Sequence, residues 1–148
     1  MNPLARDTIT LYMQHTDSSK KVIWTRAVLV GVIFTQKTIR TFGSDGVLKM
    51  TRQTSITIPA EITVTGLSFV DPKNYPTMSV VTAPAVSAVT SWTLKKGDVI
   101  VYGASTQEIG DSYTIAALKA ASETYCTIQA VGDNTKRAML NHWQIEAV

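Results

Sequence analysis

Hydrophobic and polar residues alternate with period two over most of the chain. Across residues 7–13, Ile9, Leu11 and Met13 fall on one side and Thr8, Thr10 and Tyr12 on the other, the pattern of a half-buried strand. The polar residues 15–21 then read as a solvated turn that includes His15. From Val22 the alternation resumes, with Val22, Trp24, Val28, Val30, Val32 and Phe34 assigned to one face and Ile23, Thr25, Ala27, Leu29 and Ile33 to the other. Gly31 interrupts this long strand and predicts a bulge or a close backbone approach.

Residues 36–53 are more polar and contain Gly43-Ser44-Asp45-Gly46, a turn sequence in which glycine supplies positive φ and Asp bonds locally to the backbone. A projecting β-ribbon over residues 36–53 is expected. Ser55-Ile56-Thr57-Ile58 predicts a strand closed by Pro59, and residues 62–65 a second short one. Residues 71–76 carry loop chemistry, and residues 77–91, rich in Ala, Val, Ser and Thr around Pro84, extend it into an arm over residues 71–91. Lys95-Lys96-Gly97-Asp98 is a turn feeding a strand that ends at Gly103. One helix is expected, over about residues 113–124, capped by Asp111 or Ser112. A hairpin turning at Gly132-Asp133-Asn134 closes the chain.

These elements predict a mainly β fold, a small β-barrel or sandwich with one helix and long projecting loops, built as a single domain over residues 1–148. Composition agrees. The chain has 21 Thr and 11 Ser but only 17% charged residues, so β-branched Thr supplies much of the polar surface. A surface this poor in charge suits a subunit covered by neighbours. The single cysteine, Cys126, cannot form an internal disulfide and reads as a buried strand residue. The start Met1-Asn2-Pro3 lacks a signal-peptide pattern and no apolar run nears the roughly 18 residues of a spanning helix, so synthesis in a cytoplasm and no membrane partner are expected.

Catalytic chemistry finds little purchase. His15 and His142 are far apart, and His142 sits in a strand context that favours a structural role. The carboxylates Asp71, Asp98, Glu108 and Asp111 lie near turn residues, where Asp commonly bonds the backbone. No metal-ligand, phosphate-loop or dinucleotide pattern occurs, so no catalytic residue, metal or cofactor is expected. Charge is uneven. Up to Arg52 eight basic residues face Asp7, Asp17 and Asp45, a net of +5, against −2 for the remainder. Within the ribbon, Lys37, Arg40, Lys49 and Arg52 face only Asp45. These four are the candidate contacts to DNA phosphates or to an adjoining ring, and Val80, Val81, Val86 and Val89 are the candidate subunit contacts of the arm.

The succession Asp7-Thr8-Ile9-Thr10-Leu11-Tyr12, Trp24-Thr25-Arg26-Ala27-Val28-Leu29, Ile56-Thr57-Ile58-Pro59, the block from Trp92-Thr93-Leu94 to Gly97-Asp98-Val99-Ile100-Val101-Tyr102-Gly103, and Gly132-Asp133-Asn134 with His142-Trp143 resembles small head and neck structural proteins of tailed phages that infect Gram-positive bacteria. The resemblance spans nearly the whole chain and is similar in architecture to head-completion, or stopper, proteins. It implies a virion subunit of the head-to-tail connector that forms a homo-oligomeric ring, meets portal, adaptor and tail proteins, and touches packaged double-stranded DNA non-specifically. The stretch over residues 77–91 departs from that pattern. A tail-terminator or tail-tube subunit is the alternative within this class, and a soluble nucleic-acid-binding module, motivated by a pI near 9.1, is the alternative outside it.

Overall fold

In a computed structural model, which describes residues 5–16, 22–64, 66–73, 91–110 and 112–148, the alternating segments close into a barrel. The elements are β1 (Asp7–Thr16), β2 (Val22–Phe42), β3 (Leu48–Pro59), β4 (Ser68–Phe69), β5 (Ser91–Trp92), β6 (Val99–Tyr102), α1 (Ile115–Ala121), β7 (Tyr125–Asn134) and β8 (His142–Ala147). Six strands pair in the order β1-β2-β3-β8-β7-β6, all antiparallel, and β6 returns to β1 with Leu11 opposite Ile100. The fold is therefore mainly β with one short helix among the described residues, as the period and composition predict.

Period two places the core. Ile9, Leu11 and Met13 of β1, Ala27 and Leu29 of β2, Ile56 and Ile58 of β3, Ile100 of β6, Cys126 and Ile128 of β7 and Ile145 of β8 fill the interior. Burial pushes the Cys126 thiol up to about 11, which makes it an inert packing group. One end of the barrel is closed by Trp92, Trp143 and Phe69, whose ring centroids lie 4.7 Å (Phe69 to Trp92) and 5.5 Å (Phe69 to Trp143) apart. At the other mouth Phe34 stacks on Tyr102 at 4.9 Å, and the Tyr102 hydroxyl donates to Asp7 Oδ1.

A second apolar layer lies outside the wall. Tyr12, Val99 and Val101 turn outward beneath Ile109 and Leu118, with Tyr113 and Ile115 packed against them. A seven-residue helix is marginal alone, so α1 depends on this burial. It is shorter than expected and capped by Thr114, which accepts from Ala117 N at 3.2 Å; Asp111 lies outside the described residues. Extended φ and ψ at Ser122 end it early, because the chain must straighten to enter β7.

Three further expectations are corrected. The single face expected to run from Val22 through Phe34 is broken at Gly31: Ile23, Thr25, Ala27 and Leu29 point inward before it and Val32 after it, while Val22 and Val30 are exposed. Gly31, at φ +91°, is the extra residue of a bulge, since Asp7 pairs with Val32 and Thr8 with Val30, and one added residue inverts the phase. Residues 62–64 form no strand. Their backbone carries one isolated bridge, Val64 to Leu67, because β8 already occupies the β3 edge they would need. The closing turn lies beyond Gly132-Asp133-Asn134, which stay in β7 opposite Gln144, Trp143 and His142. Asp133 does bond locally, accepting from Thr135 N at 2.9 Å, and so initiates the turn instead of forming its centre.

The facing of β2 before Gly31 is directly measurable. Leu29→Ala, at 0% exposure, should cost about 2–5 kcal/mol in urea unfolding. Val30→Ala, one residue on and 66% exposed, should stay within about 0.5 kcal/mol of wild type. Comparable losses at the two positions would contradict the register.

Candidate functional site: an unpaired cationic ribbon

β2 and β3 run on past the barrel. β1 covers β2 only to Val32, and β8 covers β3 only from Thr54, whereas β2 and β3 continue to pair with each other as far as Phe42 opposite Leu48. The predicted ribbon over residues 36–53 is therefore two-stranded, with no third strand among the described residues on either edge. Its turn is built as the sequence indicates: Gly46 N donates to Gly43 O, and Asp45 Oδ1 accepts from Val47 N at 3.1 Å.

Register divides the four predicted contact residues between two faces. Opposed residues of an antiparallel pair share a face. Lys37 opposite Gln53 and Lys49 opposite Thr41 therefore lie on one side, with Ile39 and Thr51 between them. Arg40 opposite Met50, Arg52 opposite Thr38 and Phe42 opposite Leu48 lie on the other. This second side continues the inward phase of Val32, Phe34, Ile56 and Ile58, but beyond the mouth no described residue packs over it. Phe42 is 75% exposed, Met50 60% and Leu48 45%. Among the described residues none of the four cations makes an ion pair or a side-chain hydrogen bond. The one acid of the ribbon, Asp45, is engaged by its own turn.

Sequence reasoning found the cations and missed the apolar tip. The signal was present: once residues 43–47 are the loop, Phe42 and Leu48 must face each other, and period two then puts Arg40, Met50 and Arg52 on their side. The arm residues Val80, Val81, Val86 and Val89 lie outside the described residues.

Titratable groups elsewhere serve the fold. Asp98 is fully buried at the closed end, where Oδ1 accepts from Gln14 N at 3.0 Å and pairs with Lys95 Nζ, while Oδ2 has no partner among the described residues. Burial outweighs Lys95 and raises its carboxyl above the usual range. His15, expected in a solvated turn, is instead inside β1 and buried, with Nε2 2.8 Å from Thr25 Oγ1. Burial, and then the Lys95 charge, lower it to about 4. His142 is held by the Leu140 carbonyl at 2.7 Å from Nδ1 and by Asn134. Glu108 pairs with Arg26 at 2.9 Å, and Asp71 accepts from Lys73 N. No group of three or more His, Cys, Asp or Glu among the described residues is placed to hold a metal ion. No described helix is long and apolar enough to cross a membrane.

Shallow grooves among the described residues include two on the barrel. One, of about 560 Å³, lies on the outer wall between Arg26, Val28 and Val30 of β2 and the loop at Val64 and Leu67. The other, of about 370 Å³, lies at the closed end between Pro59, Glu61, Met139 and Leu140.

The chain belongs to a family of unknown function, DUF6751, whose model matches residues 4–148. No curated protein and no solved structure matches it.

The buried histidine predicts a pH dependence. Because the folded state holds His15 below the ordinary value of 6.5, the unfolded chain takes up the proton first as pH falls. The contribution is complete above pH 6.5 and is lost towards pH 4, by up to about 3 kcal/mol. Asp98, shifted upward, works in the opposite direction, so the comparison should be made against His15→Gln. The wild-type stability should fall relative to that variant between pH 6.5 and 4 in urea titrations. Parallel curves would show that His15 titrates normally.

Proposed function

We propose that this member of the family is a structural subunit of a tailed-phage head-to-tail connector, a stopper-like ring protein that helps retain packaged DNA and offers a docking surface to the tail. The observation that carries this reading is the ribbon. A two-stranded extension with four cations that have no partner among the described residues, and with an exposed apolar tip, contributes nothing to the barrel core. It is also an aggregation liability unless a partner covers it.

A closed barrel suits this work, because it leaves no free edge along its wall and confines strand addition and apolar docking to the projecting parts. Repetition around a ring multiplies weak contacts. Each copy brings four cations and one acid on its ribbon, so a ring collects a strongly positive collar whose attraction to phosphates is sequence-independent. Ring formation from one kind of chain requires two different complementary surfaces on each copy, and the ribbon supplies one of them. The motif resemblance to small neck proteins supports the virion setting, with synthesis in the host bacterial cytoplasm and portal, adaptor and tail proteins as partners.

Two measurements test the proposal. Deleting the gene should leave complete free tails beside heads that have lost DNA; absence of tails would assign the chain to the tail tube instead. Replacing Lys37, Arg40, Lys49 and Arg52 together with Gln should leave the unfolding midpoint nearly unchanged, since none has a partner among the described residues to lose, yet produce leaking heads or failed tail joining. Filled, fully infectious particles from that variant would remove the ribbon from DNA retention.

A further inference from the structure

The two faces of the ribbon differ in chemistry as well as in charge. One carries Lys37 and Lys49 with Thr41, Thr51, Gln53 and the half-buried Ile39, a mainly polar surface. The other carries Arg40 and Arg52 with Phe42, Leu48 and Met50. Arginine is the less strongly hydrated cation and presents a planar fork to phosphate, and here it stands beside the exposed apolar side chains Phe42, Leu48 and Met50, which no described residue buries. A partner for this face must offer anionic and apolar surface in close alternation.

From this we infer that the Arg-bearing face of the ribbon docks along the minor groove of duplex DNA, with Phe42 and Leu48 as an apolar wedge against a base step and Arg40 and Arg52 on the flanking phosphates. It rests on the neck reading only in making packaged DNA the duplex at hand. Charge complementarity is the first support, because the cations are unpaired among the described residues and the single ribbon acid is consumed by the turn. Spacing is the second. Same-face residues along a strand lie about 6.8 Å apart, close to two base-pair steps of roughly 3.4 Å. The rows Phe42 with Leu48, Arg40 with Met50, and Thr38 with Arg52 therefore meet the duplex at successive two-base-pair intervals. Architectural DNA-binding proteins use the same combination, in which inserted apolar side chains partly unstack a step and cations hold the bent backbone. Lys37 and Lys49, facing away, add only a diffuse attraction.

The test uses the purified full-length chain, a fluorescein-labelled duplex with 2-aminopurine at a central TA step, and vesicles of anionic phospholipid. Binding should weaken steeply with salt, and the slope of log affinity against log salt should fall by about 2 in Arg40→Gln/Arg52→Gln. It should change much less in Lys37→Gln/Lys49→Gln. Binding should raise 2-aminopurine fluorescence, and Phe42→Ser should abolish the rise while keeping salt-dependent binding. Because Phe42 is so exposed, that variant should unfold at the wild-type urea midpoint. No binding at low salt, equal losses from the two cation pairs, unchanged 2-aminopurine signal, or capture by vesicles but not by DNA would each overturn the wedge. None of these outcomes bears on whether the chain sits in the neck, which the deletion phenotype decides separately.

Discussion

Everything in this molecule depends on the hydrogen bonds that join β1 to β6. They are few, running from Ile9 opposite Tyr102 to Tyr12 opposite Val99, but they turn a six-stranded sheet into a closed cylinder. Closure removes both sheet edges and gives every interior side chain neighbours from all sides. It also obliges the outer face of the same two strands to be covered. Tyr12, Val99 and Val101 point away from the core and would be exposed without the loop after Gly103 and the short helix over them. Hydrogen bonds tie that cover down: Thr10 donates to Gly103 O and accepts from Ser105 N, both at 2.8 Å, and the Tyr12 hydroxyl donates to Gln107 O.

The same closure isolates the ribbon. Strands β2 and β3 are 21 and 12 residues long, longer than the barrel can use, and the excess emerges at one mouth with its cross-strand pairing intact. The side chains that fill the barrel lower down are Val32, Phe34, Ile56 and Ile58, whereas the same phase further on carries Arg40, Phe42, Leu48, Met50 and Arg52. One alternation thus serves two purposes, burial where the cylinder exists and presentation where it does not. The change from aliphatic residues to arginine along a single face marks the point at which the chain stops making core and starts making surface.

The opposite end is built for permanence. Trp92, Trp143 and Phe69 plug it, and Asp98 is held beneath them by Gln14 N and Lys95. Burying a carboxylate is costly even with a cationic partner, and its upward shift expresses that cost. Such a group fixes the turn over residues 95–98 in one arrangement, since Lys95 and the Gln14 amide can both be satisfied in few ways. The molecule therefore has one stiffened end and one end that carries unsatisfied charge and apolar surface.

Much of this was legible in the chain alone. Period two identified β1, β2, β3 and β6, the Gly43 to Gly46 turn located the ribbon, and Gly31 announced its bulge, because these features depend on local backbone sterics and on which side chains can stand next to each other. Closure, the facing of β2 before Gly31, the burial of His15 and the partnership of Asp98 with Lys95 were decided by tertiary structure. A bulge inverts the phase of a strand only when a partner strand holds its register, and His15 lies buried beside β2, with Ile23 directly opposite and the Thr25 hydroxyl one row further on within hydrogen-bond reach. The cations of the ribbon could be counted in the sequence. Their division into an arginine face with an apolar tip and a lysine face followed only once Phe42 was paired with Leu48, since it is the register of two strands that determines which side chains look the same way.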